Sequence, residues 1–269
     1  MPALSFETQS ALINLSGRRE GKPIEEIKAT LQILKEALST PEGRLEMAKD
    51  AARAALTLPV KAETVAVARL LDPQDMAWKE VPERPLHFNR TPPLYDGDST
   101  DDDSRPVAAA QLIRTGNQDL VARIHWSDPT TNLTATGVRY SDSGTPHIYK
   151  RHTETPDQFA DAFCLMVPVQ RGPTGSFPSL MMGETNRETE LYYWRAGQSP
   201  QVLSGHGRGT TAAKPMAAQG KAARDGNGWT ITLAVPKVSP GTPICFAIWD
   251  GGQQHRDGLK FYSLWYEVE

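Results

Sequence analysis

From Pro23 onward the apolar residues Ile24, Ile27, Leu31, Leu34 and Leu38 recur at steps of three and four, with Glu25, Glu26, Lys28, Lys35 and Glu36 between them. That spacing predicts an amphipathic helix with one apolar stripe. Thr40-Pro41-Glu42 opens a second helix, with Thr40 as N-cap and Pro41 in the first turn, running through Leu45 and an alanine-rich stretch to about Leu58, where Pro59 ends it. Beyond residue 60 the period changes. Short runs of β-formers recur between Gly, Pro, Asp and Asn, predicting strands at 64–69, 106–114, 119–127, 158–168, 190–195, 228–236, 243–250 and 261–268. Regularly spaced strands with turn signals between them point to a mainly β protein, a mostly antiparallel β-sandwich with a few short helices. Residues 1–60 read as an N-terminal helical extension and 61–269 as the β-sandwich domain.

Two polar stretches read as loops. Asp96-Gly97-Asp98-Ser99-Thr100-Asp101-Asp102-Asp103 lacks the closing glutamate of a calcium loop and reads as a solvated acidic turn. Residues 204–227, rich in Gly, Ala, Lys and Arg, read as a mobile insertion between strands, with a basic docking patch as the alternative.

Composition narrows the function classes. The chain has 269 residues, 39% hydrophobic and 23% charged, and a mean hydropathy of -0.47, as in soluble globular proteins. No window supplies the roughly 18 uninterrupted apolar residues of a spanning helix. A net charge of -3 and a pI near 6.1 provide no broad positive field for phosphates, which argues against a nucleic-acid partner. The segment Met1-Pro2-Ala3-Leu4-Ser5-Phe6-Glu7 has neither the basic nor the apolar region of an export signal. Either the protein stays inside the cell or this is a processed chain.

Catalytic motifs are scarce: there is no Gly-x-Ser-x-Gly elbow, His-Glu-x-x-His pair, phosphate loop or dinucleotide fingerprint. His87, His125, His147, His152, His206 and His255 are scattered without metal-binding spacing. Cys164 and Cys245 are too few for a thiolate cage, and each sits in an apolar run. They read as two buried free thiols, to be bridged only if their strands lie side by side.

Two segments stand apart. Phe177-Pro178-Ser179-Leu180-Met181-Met182-Gly183 is a proline-initiated apolar run ending in two methionines before a glycine turn, and Leu191-Tyr192-Tyr193-Trp194-Arg195 follows it. Phe246-Ala247-Ile248-Trp249-Asp250-Gly251-Gly252 leads through Arg256 to Lys260, Ser263 and Trp265-Tyr266. With Trp126-Ser127-Asp128-Pro129-Thr130 after one strand and Gly228-Trp229 opening another, this order resembles the haem b-binding gamma subunits of periplasmic molybdenum enzymes such as ethylbenzene dehydrogenase, dimethyl sulfide dehydrogenase, selenate reductase and chlorate reductase. The resemblance runs from about Thr64 to Glu269 and does not reach residues 1–60.

What the resemblance implies is a haem iron held between a methionine and a lysine. Lys260 matches the lysine, and Met182, directly before Gly183, matches the methionine in preference to Met181. Adjacent strand residues face opposite sides, so only one of the pair can enter a pocket. With no Cys-x-x-Cys-His run the haem would be non-covalent haem b. A thioether ligand tends to raise the haem potential, and a lysine binds iron only as the free amine, the form that desolvation favours. A six-coordinate iron leaves no position for substrate. The implied role is therefore a non-catalytic electron-transfer subunit, a b-type cytochrome. It would relay single electrons between an iron-sulfur beta subunit and a soluble cytochrome-type carrier, with catalysis in a molybdenum-pterin alpha subunit. The implied compartment is the periplasm, while the absence of a visible signal keeps a cytoplasmic variant open.

Taken without the resemblance, the same residues have plainer readings. The Met181-Met182 pair would fill a core and Lys260 would be exposed. Trp126, Trp194, Trp249 and Trp265 would fill a sandwich core, line a haem pocket or form a flat carbohydrate platform. His255 and Arg256 would be turn charges at the surface, with a haem propionate as the other partner. A carbohydrate-binding β-sandwich module without haem, and an interaction protein docking through the helices of 24–58, are the rival functions.

Overall fold

The computed structural model describes residues 56–91, 104–134, 140–142, 149–151, 159–171, 177–207 and 209–269, and isolated positions between Gln32 and Leu45. The chain divides into two compact units, Met1–Thr57 and Leu58–Glu269. In the first unit Gln32, Lys35 and Ser39 are helical, Thr40 is a bend, and Pro41, Arg44 and Leu45 are helical again, with the Arg44 N–H donating to the Thr40 carbonyl at 3.1 Å. The rest of the two predicted helices and the acidic turn at 96–103 lie outside the described residues. The second helix does not reach Leu58, which lies in strand β1 (Thr57–Leu58) and is fully buried.

The second unit is mainly β. One sheet has nine strands, in the order β1, β17 (Tyr266–Val268), β15 (Pro243–Trp249), β9 (Ala162–Pro168), β10 (Thr189–Arg195), β11 (Gln201–Gly205) and β12 (Ala212–Ala217), with β16 (Phe261–Ser263) bridging β15 to β4 (Phe88–Arg90). A six-stranded sheet runs β13 (Gln219–Arg224), β14 (Gly228–Val235), β6 (Leu120–Ser127), β5 (Ala108–Thr115) and β2 (Val60–Glu63), with β3 (Arg84–Leu86) also on β5. The β2 to β5 pairing is parallel, and the other pairings within this sheet are antiparallel. A separate hairpin joins β7 (Tyr140–Asp142) and β8 (Tyr149–Arg151). Among the described residues no helix is long and apolar enough to cross a membrane.

Aromatic side chains knit the sheets together. Trp126 from β6 stacks on Phe163 from β9 at 5.5 Å and meets Trp194 from β10 edge-on at 6.2 Å, while Trp194 meets Trp229 from β14 at 4.9 Å. These rings bury large apolar areas in favourable offset and edge geometries. Trp126, Trp194, Trp229 and Trp265 are buried and Trp249 is half-buried, so none of them presents an open platform of the kind a sugar ring stacks on.

Both sheets also carry a cover on the face turned away from the sandwich core. Over the six-stranded sheet lies the segment holding α1 (Val67–Leu70) and a 3-10 turn at Met76–Glu80. Leu70, Leu71, Trp78 and Val81 pack there on Ile113, Val121 and Ala234. Gln111 Nε2 donates to the Trp78 and Val81 carbonyls at 2.9 and 2.8 Å, and Thr232 Oγ1 donates to the Leu71 carbonyl at 2.6 Å. The alternating Val65 and Val67 suggested a strand at 64–69, but they pack against this cluster from α1 and the turn before it, and the strand lies earlier, at β2.

Two other expectations need correction. The 204–227 stretch is not a loose insertion: it is built from the end of β11 and from β12 and β13, and the single residue Ala218 carries the chain from one sheet to the other. The 261–268 strand is broken into β16 and β17, because the Ser263 hydroxyl accepts from the Phe246 N–H at 2.9 Å and donates to the Leu264 carbonyl at 2.7 Å, replacing ladder bonds.

Candidate functional site

Strand β9 is buried along its whole length, Ala-Phe-Cys-Leu-Met-Val-Pro. An antiparallel strand ordinarily wets one face, so both faces of this one are covered. Phe163 points to the sandwich core. By alternation Cys164 and Met166 point away from it, in register with Ala247 and Cys245 of β15 and with Tyr193 and Leu191 of β10. Of these, Cys164, Met166, Leu191, Cys245 and Ala247 form one side of a small, partly open cavity of about 30 Å³. Leu180 and Met182 contribute from the segment before β10, and Trp249, Lys260, Tyr262 and Ser263 from the C-terminal part of the chain.

Met182 and Lys260, 78 positions apart in the sequence, thus line one cavity. Met181 does not; it is 43% exposed. The choice between the two methionines follows from a turn rather than from strand alternation, since residues 180–182 are not a strand. Met182 adopts φ +67° and Gly183 φ +81°, and the Gly183 N–H closes on the Ser179 carbonyl at 3.0 Å. A side chain at Gly183 would lie 2.7 Å from the Arg187 carbonyl oxygen, which explains the glycine. Met182 itself is held in the left-handed region, sparsely populated for a side-chain-bearing residue, by its carbonyl accepting from the Gly207 N–H at 3.0 Å. Trp265 fastens this cover: its indole N–H donates to the Pro178 carbonyl at 3.0 Å and its ring meets Phe177 at 6.1 Å.

Lys260 is only 8% exposed, unlike an ordinary surface lysine. Its main chain is clamped by Thr91: the Lys260 N–H donates to Thr91 Oγ1 at 2.9 Å, and the Thr91 N–H donates to the Lys260 carbonyl at 3.0 Å. Its Nζ stands 5.3 Å from the centre of the Trp249 ring, within cation-π range. Trp249 is fixed by its indole N–H donating to the Asp257 carbonyl at 3.0 Å and by edge-on contact with Tyr193 at 5.7 Å.

Apart from Lys260, the side chains around the cavity are soft and neutral. Burial pushes the Cys164 thiol up to about 12 and that of Cys245 well above its ordinary value, with the Lys260 charge acting weakly the other way. Burial likewise raises the Tyr193 hydroxyl to about 12. The strands carrying the two cysteines are neighbours, but Cys245 pairs with Met166 and Cys164 with Ala247, and both thiols are free. Sequence reasoning placed these thiols in the core and missed that they line the cavity. The signal was available in the unbroken apolar run of β9, which implies a second covered face.

No family model matches the chain. It is 29% identical over 227 residues to a candidate respiratory nitrate reductase heme subunit of Haloferax mediterranei, covering 80% of this chain and 73% of that one. It is 27% identical over 222 residues to the chlorate reductase subunit gamma of Ideonella dechloratans (78% and 83%), and 25% identical over 215 residues to the dimethylsulfide dehydrogenase subunit gamma of Rhodovulum sulfidophilum (72% of each). The chain is thus similar, over most of its length, to heme and gamma subunits of such reductases and dehydrogenases.

In this chain His255 and Arg256 are not surface charges. His255 is buried edge-on to Phe261 at 4.6 Å, and Arg256 is buried with its guanidinium 4.8 Å from the Phe159 ring centre; neither lines the cavity. The donor set at the cavity, one thioether and one amine among thiols, aromatic and aliphatic groups, fits a haem iron better than a hard cation, which asks for oxygen ligands.

Proposed function

We propose that the chain is a haem-binding electron-transfer subunit of a multi-subunit molybdenum oxidoreductase, with Met182 and Lys260 as axial ligands of a non-covalent haem b. The observation that carries this reading is the convergence of a buried lysine and a conformationally constrained methionine on one apolar cavity. The names of the relatives, a heme subunit and two gamma subunits of a reductase and a dehydrogenase, point the same way. The bound haem would supply one-electron redox chemistry. The protein's part is to present a thioether and an amine, to surround them with apolar side chains that exclude water, and to leave no open coordination position for substrate. The partners in this reading are an iron-sulfur beta subunit, a molybdenum-pterin alpha subunit and a soluble cytochrome-type carrier, working in the periplasm.

The test is a visible spectrum of the purified protein, oxidised and dithionite-reduced, with a pyridine haemochrome to type the haem. Sharp low-spin reduced bands of haem b are expected. Met182→Ala and Lys260→Ala are expected to weaken haem retention and shift the potential, while Met181→Ala does neither. A protein that stays colourless when produced with its partner subunits and supplied with haem would overturn the reading.

A further inference from the structure

Trp126-Ser127-Asp128-Pro129-Thr130 and Trp249-Asp250-Gly251-Gly252 send their aspartates to a place the cavity does not use. Asp128 follows β6 of the six-stranded sheet, while Asp161 precedes β9 and Asp250 follows β15 of the nine-stranded sheet. Carboxylate oxygens of the three lie within 4.8 Å of one another. Asp128 is 1% exposed, Asp161 0%, and Asp250 is half-buried.

Hydrogen bonds satisfy part of this cluster. Asp161 Oδ2 accepts from the Asn132 N–H at 2.9 Å and from the Trp229 indole at 3.0 Å, and its Oδ1 accepts from the Gly251 N–H at 3.0 Å. Asp128 Oδ1 accepts from the Thr130 N–H at 2.8 Å and hydroxyl at 3.1 Å, and Asp250 Oδ1 accepts from the Gln253 N–H at 3.1 Å. Asp128 Oδ2, however, is buried without a hydrogen-bond partner. Among the described residues no lysine or arginine pairs with any of the three carboxylates. The nearby Arg224 donates instead to the main-chain carbonyl of Asp128 at 3.0 Å and to the Thr131 hydroxyl at 2.5 Å. Buried carboxylates without a cation are costly, and nature pairs them or gives them a metal.

We propose that Asp128, Asp161 and Asp250 hold a calcium ion that ties the ends of the two sheets together. All-oxygen donors select hard cations over the thiophilic metals. Calcium bonds of roughly 2.4 Å span the observed separations, and the flexible coordination number admits carbonyls and waters as further ligands. The electrostatics agree: burial and the Asp128 charge raise Asp250 to about 6, and burial with the same charge also raises Asp161, the condition a divalent ion relieves. The glycine of the Asp250-Gly251 step fits this packing, since a side chain at Gly251 would lie 1.9 Å from the Phe159 carbonyl oxygen.

The test uses the full chain, stripped with EGTA and then titrated with calcium chloride. Tm is expected to rise with calcium and to fall back on chelation, as for any ligand that binds only the folded state. Asp128→Asn and Asp250→Asn are expected to lose that rise, yet in EGTA to melt no lower than the parent, because a repelling charge has gone. Terbium added to the parent protein should show several-fold enhanced emission sensitised by Trp229, displaced by calcium, and Trp229→Phe should remove the enhancement. A parent Tm indifferent to calcium, with no displaceable terbium emission, would overturn the proposal. Neither arm depends on haem, so its outcome is separate from that of the electron-transfer reading.

Discussion

The outer faces of the two sheets are both covered, and they are covered differently. Over the six-stranded sheet, Trp78 is driven into the cover and every polar group that goes with it finds a partner: its indole N–H bonds the Leu70 and Asp72 carbonyls at 3.2 Å each, and Gln111 bonds the turn around it. Over the nine-stranded sheet the cover leaves a partly open cavity of about 30 Å³, walled by two thiols, two thioethers, leucines and aromatic rings, with Lys260 among them. A cover that fills its sheet contributes stability. A cover that leaves space and brings a lysine inside gives up packing there, and such a sacrifice marks a site for something else.

The difference can be broken from either side. The largest loss of stability is expected at the filled face, where Trp78→Ala should cost about 3–5 kcal/mol by denaturant unfolding, with haem content per folded molecule unchanged. Gln111→Ala strands two buried carbonyls and should cost about 1–3 kcal/mol. On the hollow face, Ala247→Phe grows into the cavity; its stability cost should stay at or below the roughly 1–3 kcal/mol of overpacking a dense core, while haem uptake in a reconstitution titration should be abolished. Met182→Leu keeps volume and removes only the thioether, so it should unfold within about 1 kcal/mol of the parent and still change the reduced spectrum. The rank by stability and the rank by haem content are thus expected to run in opposite directions; Ala247→Phe binding haem normally would remove the cavity from the argument.

The parts of the fold legible in the sequence are those where side-chain period and sheet position agree. Strands β5, β6, β10, β14 and β15 fall within two residues of their predicted bounds, because each carries a run of β-formers between clear turn signals. Those that escaped notice take their place from neighbours. β2 carries Lys61 and Glu63 and sits parallel at the edge of its sheet. β12 and β13, mostly Ala, Gly, Gln, Lys and Arg, have little buried surface and are ordered by pairing with β11 and β14. At the site, Met182 and Lys260 were reached through the motif order, and the cavity brings them together. Asp161 carried no motif of its own, and only the return of β9 beside β15 sets it against Asp128 and Asp250.

The clamp between Thr91 and Lys260 joins residues 169 positions apart. Contacts of such long sequence separation close late, after the intervening chain has been ordered, because loop-closure entropy must first be overcome. The clamp extends the pairing of β16 with β4 by one step, so the main chain that carries the amine is set by the same ladder that completes the nine-stranded sheet. A substitution that loosens β4, far from Lys260 in the sequence, is therefore expected to displace the amine without touching the cavity wall.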